Sequence, residues 1–357
     1  MTVRANKPAF SIREKLKELQ KPIGLKGSEL MRAETVQDAR DLVGAGRKNL
    51  LINGRMQVWQ RATSHTTASG YRSVDRWSFN TYTSGAFTVS KGTDTVHGEY
   101  LSWNRTTADT NNPNAGNCLQ QAIEDCAYLV KGKYITLSFW LKNEKTILRS
   151  GFARLRLNAS PYTALGGQQT WTSTTNEWEY HTITWQIPES IATTHLELQI
   201  QLDNGSSMGD IKITKVQLEV GKNATEFEHR SYGEELALCQ RYYQSYGLES
   251  DRSASAPFRI LFASNGVSTN ALTGFVFPTP MRTYPSVTSY GAGTAGGSFN
   301  LYSGTNSTSK TGFSSIVRSD RSMRINYSLG IGAGDAAGWI DVGHTTNHHA
   351  FTLDAEL

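Results

Sequence analysis

Cysteine is scarce in this chain. Cys118, Cys126 and Cys239, three among 357 residues, supply no Cys-x-x-Cys pair and no even framework, which excludes a disulfide scaffold and a thiolate metal centre. They read as buried free thiols, with a Cys118–Cys126 bridge as the lesser alternative. Proline is also scarce, at nine residues, and charged residues make up only 19%, which excludes collagen, coiled coil and wholesale disorder. No apolar run approaches the roughly 18 residues of a membrane-spanning helix, and Met1 to Pro8 lacks the apolar stretch of a secretory signal. The expectation is a soluble chain made in the cytoplasm, with no membrane insertion.

The local motifs of nucleotide, metal and acyl-transfer chemistry are missing too: there is no GxxxxGK(S/T), HExxH, GxSxG or EF-hand loop. Gly291-Ala-Gly-Thr-Ala-Gly296 has the spacing GxGxxG, but strand-like Ser298 to Tyr302 follows it, so no helix N-terminus is offered to a pyrophosphate. His344, His348 and His349 fall in a Thr/Asn-containing stretch ahead of a strand, and a four-residue spacing aligns two ligands only on a helix. They read as solvated loop histidines. Neither a metal nor a cofactor is expected.

What is present begins with a localised charge. The first 48 residues hold 11 of the 36 Lys/Arg and 6 of the 31 Asp/Glu, so the whole surplus of +5 sits there. Nucleic-acid binders concentrate their basic residues on a folded, aromatic-bearing surface, whereas here the aromatic-rich body is neutral. The basic head therefore reads as a docking segment for an acidic protein surface, with no nucleic-acid partner. Ser11 and Glu14 form a capping box for a helix through Gln20, which Pro22 and Gly24 end, and a second helical pattern runs from about Ser28 to Val43. Helices this short are marginal alone and must pack on something else.

From Asn49 the period changes to two. Candidate strands include 85–90, 134–141, 152–157, 179–187, 196–202 and 211–218, and the alternation Leu196, Leu198, Ile200, Leu202 marks one buried and one wet face. Ser231 and Glu234 form another capping box, opening a helix through Gln244 with Leu236, Cys239 and Tyr243 on one stripe. Further strands follow at 259–263, 274–277, 286–290, 322–327 and 350–353. The chain is thus mainly β, with a short helical N-terminal anchor (1–48), a jelly-roll-type antiparallel β-sandwich (49–231), a linking helix (232–250) and a second, smaller β-sandwich (251–357).

Eight tryptophans are many for this length. An exposed indole offers a flat apolar face to sugar C–H groups and a polar edge to hydroxyls. Trp77, Trp140 and Trp185 read as core. Trp103, Trp171 and Trp178, flanked by polar residues in loop-like stretches, are the glycan-binding candidates. Paired carboxylates could hydrolyse a glycan, with Glu124, Asp125, Glu177, Glu179 and Asp203 near turns, but surface solvation explains them better and no catalytic residue is expected.

Lys48 to Arg61 (Lys-Asn-Leu-Leu-Ile-Asn-Gly-Arg-Met-Gln-Val-Trp-Gln-Arg) and Gly70 to Phe79 resemble the opening of a β-sandwich found in tailed-bacteriophage tail-fibre and related virion proteins. Val216 to Gly221, Thr225 to Glu228, Leu238 to Gln244, Phe277 to Arg282 and Asp354 to Leu357 look like later landmarks of such proteins, in the expected order. The resemblance implies a homotrimeric fibre in the virion tail, with host cell-surface glycan as its outer partner. Its inner partners would be other tail proteins, bound through residues 1–48. Lys21 to Gly27 resembles fibre anchoring segments, and Arg13, Lys17, Lys21, Lys26, Leu30 and Arg32 are the implied attachment residues. The chain is short for a fibre and has no repetitive shaft, which keeps a collar, head-fibre or decoration protein as an alternative and a glycan depolymerase as a second.

Overall fold

A computed structural model describes residues 48–66, 69–80, 86–107, 117–124, 126, 130–144, 148–157, 164–174, 176–191, 195–202, 209–246, 258–264, 270–289, 298–303, 306–311, 315–328, 337–342 and 351–356. The chain divides into two compact units, Met1–Leu50 and Leu51–Leu357. The helical head, the glycine motif at 291–296 and the three late histidines lie outside the described residues.

Eleven strands build the first sandwich: β1 (Ser64–Thr66), β2 (Ser78–Asn80), β3 (Phe87–Asp94), β4 (Gly98–Arg105), β5 (Cys118–Ile123), β6 (Tyr134–Asn143), β7 (Arg149–Leu157), β8 (Ala164–Ser173), β9 (Trp178–Gln186), β10 (Leu196–Gln201) and β11 (Gly209–Val220). One sheet has the order β1-β3-β4-β11-β6-β9 and the other β2-β5-β10-β7-β8. The described pairings of these strands are antiparallel, as in β6 with β9, where Tyr134 lies opposite Gln186 and Lys142 opposite Trp178. Because successive side chains of a strand point to opposite faces, Ile135, Leu137, Phe139 and Leu141 of β6 and Leu196, Leu198 and Ile200 of β10 all turn inward and are buried. Trp103 of β4 is fully buried, stacked on Phe87 at 4.1 Å and on Phe79 of the opposite sheet at 5.6 Å.

Helix α1 (Tyr232–Gln240) follows, with the expected capping box: the Ser231 hydroxyl accepts from the Glu234 amide, and the Glu234 carboxylate accepts from the Ser231 amide. The helix stops four residues short of its expected end. Tyr243–Tyr246 is instead strand β12, because these β-favouring tyrosines gain ladder bonds to the end of the chain, with Tyr243 opposite Asp354 and Tyr246 opposite Phe351. The remaining strands are β13 (Phe258–Ser264), β14 (Asn270–Val276), β15 (Ser286–Ser289), β16 (Ser298–Ser303), β17 (Asn306–Thr311), β18 (Ser315–Arg318), β19 (Ser322–Ser328), β20 (Ala337–Val342) and β21 (Phe351–Asp354). They form a three-stranded sheet, β12-β21-β15, and a seven-stranded sheet, β17-β16-β20-β13-β14-β19-β18.

The sequence landmarks meet in one buried polar junction. Glu356 pairs with Arg76 and, at 3.1 Å, with Arg61, which also faces Asp354 at 3.4 Å and Asp75 at 3.6 Å. The Arg76 guanidinium lies 3.4 Å over the Tyr242 ring and that of Arg61 3.7 Å over Tyr243. Burial pushes the Asp75 carboxyl up to about 6, against the pull of Arg61 and the Gln60 hydrogen bonds. Asn53 adopts a left-handed φ of 58°, and its side chain bonds the backbone of Gln57, Val58 and Asp75. Cys118, Cys126 and Cys239 are buried thiols, as expected, and the alternative Cys118–Cys126 bridge is not formed.

Candidate functional site

The outer face of the six-stranded sheet carries the site. Register and parity place its side chains in rows across the strands. Tyr180 of β9 lies opposite Trp140 of β6, which is opposite Thr214 of β11; Trp178 is opposite Lys142, then Lys212, then Ser102 of β4, then Ser90 of β3. Four inter-strand spacings separate β9 from β3, so the rows extend about 19 Å.

One end of this face is covered by the chain itself. The Glu219 carboxylate accepts from the Thr225 amide at 2.8 Å and hydroxyl at 2.6 Å, and Gln217 accepts from the Glu228 amide at 2.8 Å, so the 225–228 landmark is strapped onto β11. At the other end, β11 breaks register after Thr214, with Lys215 at a left-handed φ of 50°. The Thr214 hydroxyl there donates to the Glu99 carbonyl at 2.6 Å. The turn between β3 and β4 is fixed by Asp94, whose carboxylate accepts from the amides of Val96 and His97. It lays His97 over the sheet.

His97 is buried between two indoles, 4.5 Å from Trp140 and 4.8 Å from Trp178. Tyr180 stands 5.3 Å from Trp140, and Tyr100 meets Trp178 edge-on at 5.9 Å, so five rings form one continuous strip. Burial, then Lys215, holds the His97 imidazole below its ordinary pKa, only partly opposed by Asp94. Trp140, Trp178 and Tyr100 are half-buried and Tyr180 is 46% exposed, so part of each of these residues meets solvent. Gly92 makes room for the strip: a Cβ there would fall 2.2 Å from the Tyr100 ring.

Polar groups line its margin. Glu144 receives Lys212 at 2.5 Å and Lys142 at 4.0 Å, and Lys212 lies 5.0 Å from the Tyr100 centroid. Burial opposes the charge on Lys212, yet hydrogen bonds to Glu144 and Tyr100 raise its pKa. The Asp210 carboxylate accepts from the Ser102 hydroxyl at 2.5 Å, and burial pushes its pKa up. Flat apolar faces beside fixed donors and acceptors are the equipment for holding a sugar ring.

Of the three sequence-derived candidates, Trp178 is part of the strip. Trp103 and Trp171 are not exposed. Their polar neighbours Ser102, Asn104, Thr170 and Thr172 are the outward residues of strands β4 and β8, so the tryptophans between them point inward. Trp103 is core, and Trp171, 3% exposed, donates its indole N–H to the Gln201 carbonyl at 3.1 Å. Trp77 and Trp185 are core as expected, but Trp140 is not. Its parity in β6 sets it with Tyr134, Thr136 and Ser138, opposite Ile135, Leu137, Phe139 and Leu141; that alternation was the signal available in the sequence. His97, Tyr100 and Tyr180 carry no local sequence signal, because strand pairing is what brings them to the strip. Among the carboxylates, Glu124 is bound to Arg241 and Tyr242, Glu177 is exposed, and Glu179 is half-buried beside His181. Asp125, Asp203 and the attachment residues Arg13, Lys17, Lys21, Lys26, Leu30 and Arg32 lie outside the described residues. No group of three or more His, Cys, Asp or Glu that could hold a metal occurs among the described residues.

No family model and no curated protein matches this chain. Among solved structures it is similar to a CBM4 structure at 19% identity and TM-score 0.35, over 47% of this chain and 98% of that one. It is similar to the enzymatically active domain of bacteriophage CBA120 tailspike protein 4 at 18% identity and TM-score 0.34, over 48% of this chain and 21% of that one. A third likeness, at 15% identity and TM-score 0.31, is to the C-terminal family 22 carbohydrate-binding module of Clostridium thermocellum Xyn10B, over 48% of this chain and 98% of that one.

Proposed function

We propose that the chain is a non-enzymatic, glycan-binding structural protein of a bacteriophage virion: a homotrimeric tail fibre that docks through residues 1–48 and offers its first sandwich to host-surface polysaccharide. The observation that carries the binding role is the ring strip Tyr180, Trp140, His97, Trp178 and Tyr100 on the outer sheet face, flanked by Lys142, Lys212 and Glu144. The virion role rests on the resemblance of the landmarks and on the basic charge confined to the head.

The test uses the labelled full chain on a panel of intact bacteria and on the same cells stripped of surface polysaccharide. Binding to intact cells that disappears on stripping supports the proposal. Equal binding to stripped cells, or a stable monomer in light scattering, contradicts the corresponding part of it.

A further inference from the structure

Resting on that reading, we infer that the ligand of the strip is an uncharged glycan rather than a polyuronate or sulfated polymer. The described ionic groups at the strip and its margin include Lys142, Lys212, Lys215 and Arg55 and, of opposite sign, Asp94, Glu99, Glu144, Asp210 and the exposed Glu177 beside Trp178, so the cations are not in excess. Three of the four cations also face a carboxylate: Glu144 holds Lys212 at 2.5 Å and lies 4.0 Å from Lys142, and Glu99 faces Arg55 at 3.3 Å. Burial, then Arg55, disfavours the charge on Lys215, and Asp94 only partly opposes them. Asp210 is half-buried and hydrogen-bonded to Ser102, beside Lys212.

At physiological salt, charges are screened beyond about 8 Å, so a face whose rows extend about 19 Å attracts a polyanion only if it carries locally unmatched cations. The two lysines nearest the rings share one carboxylate, and an anionic sugar would have to displace Glu144 and meet its repulsion. A neutral sugar faces no such conflict. Its hydroxyls donate to Glu144 and accept from Lys142, Lys212 and Asn104, while its C–H face covers Trp140 and Tyr180.

The test is titration of the full chain with soluble mannan, β-glucan and dextran, and with polygalacturonate, alginate and heparin, at 20 and 500 mM NaCl. The expected result is at least one neutral polymer bound, with affinity changing less than about twofold between the salts and falling at least tenfold in W140A/Y180A. Glu144→Gln, which releases Lys212 and Lys142, is expected to bring up polyanion binding at low salt by threefold or more. A wild-type chain that prefers a polyanion, loses affinity more than tenfold in high salt and loses it again in W140A/Y180A overturns the inference and leaves the site intact. Binding of every polymer unchanged in W140A/Y180A, or of none, overturns the reading of the site and the inference with it.

Discussion

Removing Glu356 leaves a cation stranded inside the protein. Its side chain is 5% exposed, and the Arg76 side chain opposite is 1% exposed. Without this carboxylate, Arg76 keeps a hydrogen bond to the Ala122 carbonyl at 2.7 Å and the face of Tyr242. Arg61 still has Asp75 and Asp354. Breaking a buried pair by removing one partner costs about 3–5 kcal/mol, because the remaining charge is neither hydrated nor paired. At roughly 2–4 °C per kcal/mol, Glu356→Ala is expected to lower Tm by roughly 6–20 °C. Asp354→Ala is the internal control: its side chain is 41% exposed and Arg61 retains two carboxylates, so the loss is expected to stay near 1 kcal/mol or below. Replacing both partners, Arg76→Met with Glu356→Leu, is expected to recover most of the loss, since no charge remains to be stranded. Thermal and urea melts of the full chain by circular dichroism measure all three. A Glu356→Ala loss within about 1 kcal/mol of wild type, or equal to that of Asp354→Ala, would show that Arg76 is not stranded by losing its carboxylate.

Trp103→Ala is expected to cost about 3–5 kcal/mol because the indole is fully enclosed, whereas Tyr180→Ala is expected to cost under about 1; comparable losses in urea melts would contradict the placement of these rings. A Cβ at Gly151 would fall 2.3 Å from the Gln201 carbonyl oxygen and 2.5 Å from the Trp171 ring, so Gly151→Ala is expected to destabilise by about 1–3 kcal/mol, and a neutral melt would show that the sheets open more easily than the packing implies. Asp75 has a folded pKa of about 6, above its ordinary value of 3.8, so the folded chain binds the extra proton and this group's contribution to stability falls as pH rises from about 4 to 6. Asp75→Asn removes that slope, and its stability relative to wild type is expected to be higher at pH 7 than at pH 4; parallel wild-type and variant curves would contradict it.

Strands with strong apolar alternation were legible, as β6, β9, β10 and β11 show. Strand β8 was not, because Gly166, Gly167, Gln168 and Gln169 interrupt its pattern and most of its residues face solvent. Short flanks misled the reading of Trp103 and Trp171, where a polar neighbour on each side describes an alternating strand as well as a loop. The end of α1 was hidden because Tyr242 and Tyr243 continue the helical stripe locally, while the chain end and two arginines far away in sequence decide their conformation. The site was half legible. Trp178 could be proposed from composition, and parity alone would have turned Trp140 outward. His97 enters because the β3–β4 turn packs it between Trp140 and Trp178 of other strands, a tertiary event with no local pattern.

The most direct test of the binding strip is the response of the indole N–H resonances of the eight tryptophans as a glycan that binds the full chain is added. With the glycan on the ring strip, the signals of Trp140 and Trp178 move in a saturable manner while those of Trp77, Trp103 and Trp185 stay fixed. Saturable binding that leaves Trp140 and Trp178 unmoved would place the glycan away from the strip and contradict its role as the binding site.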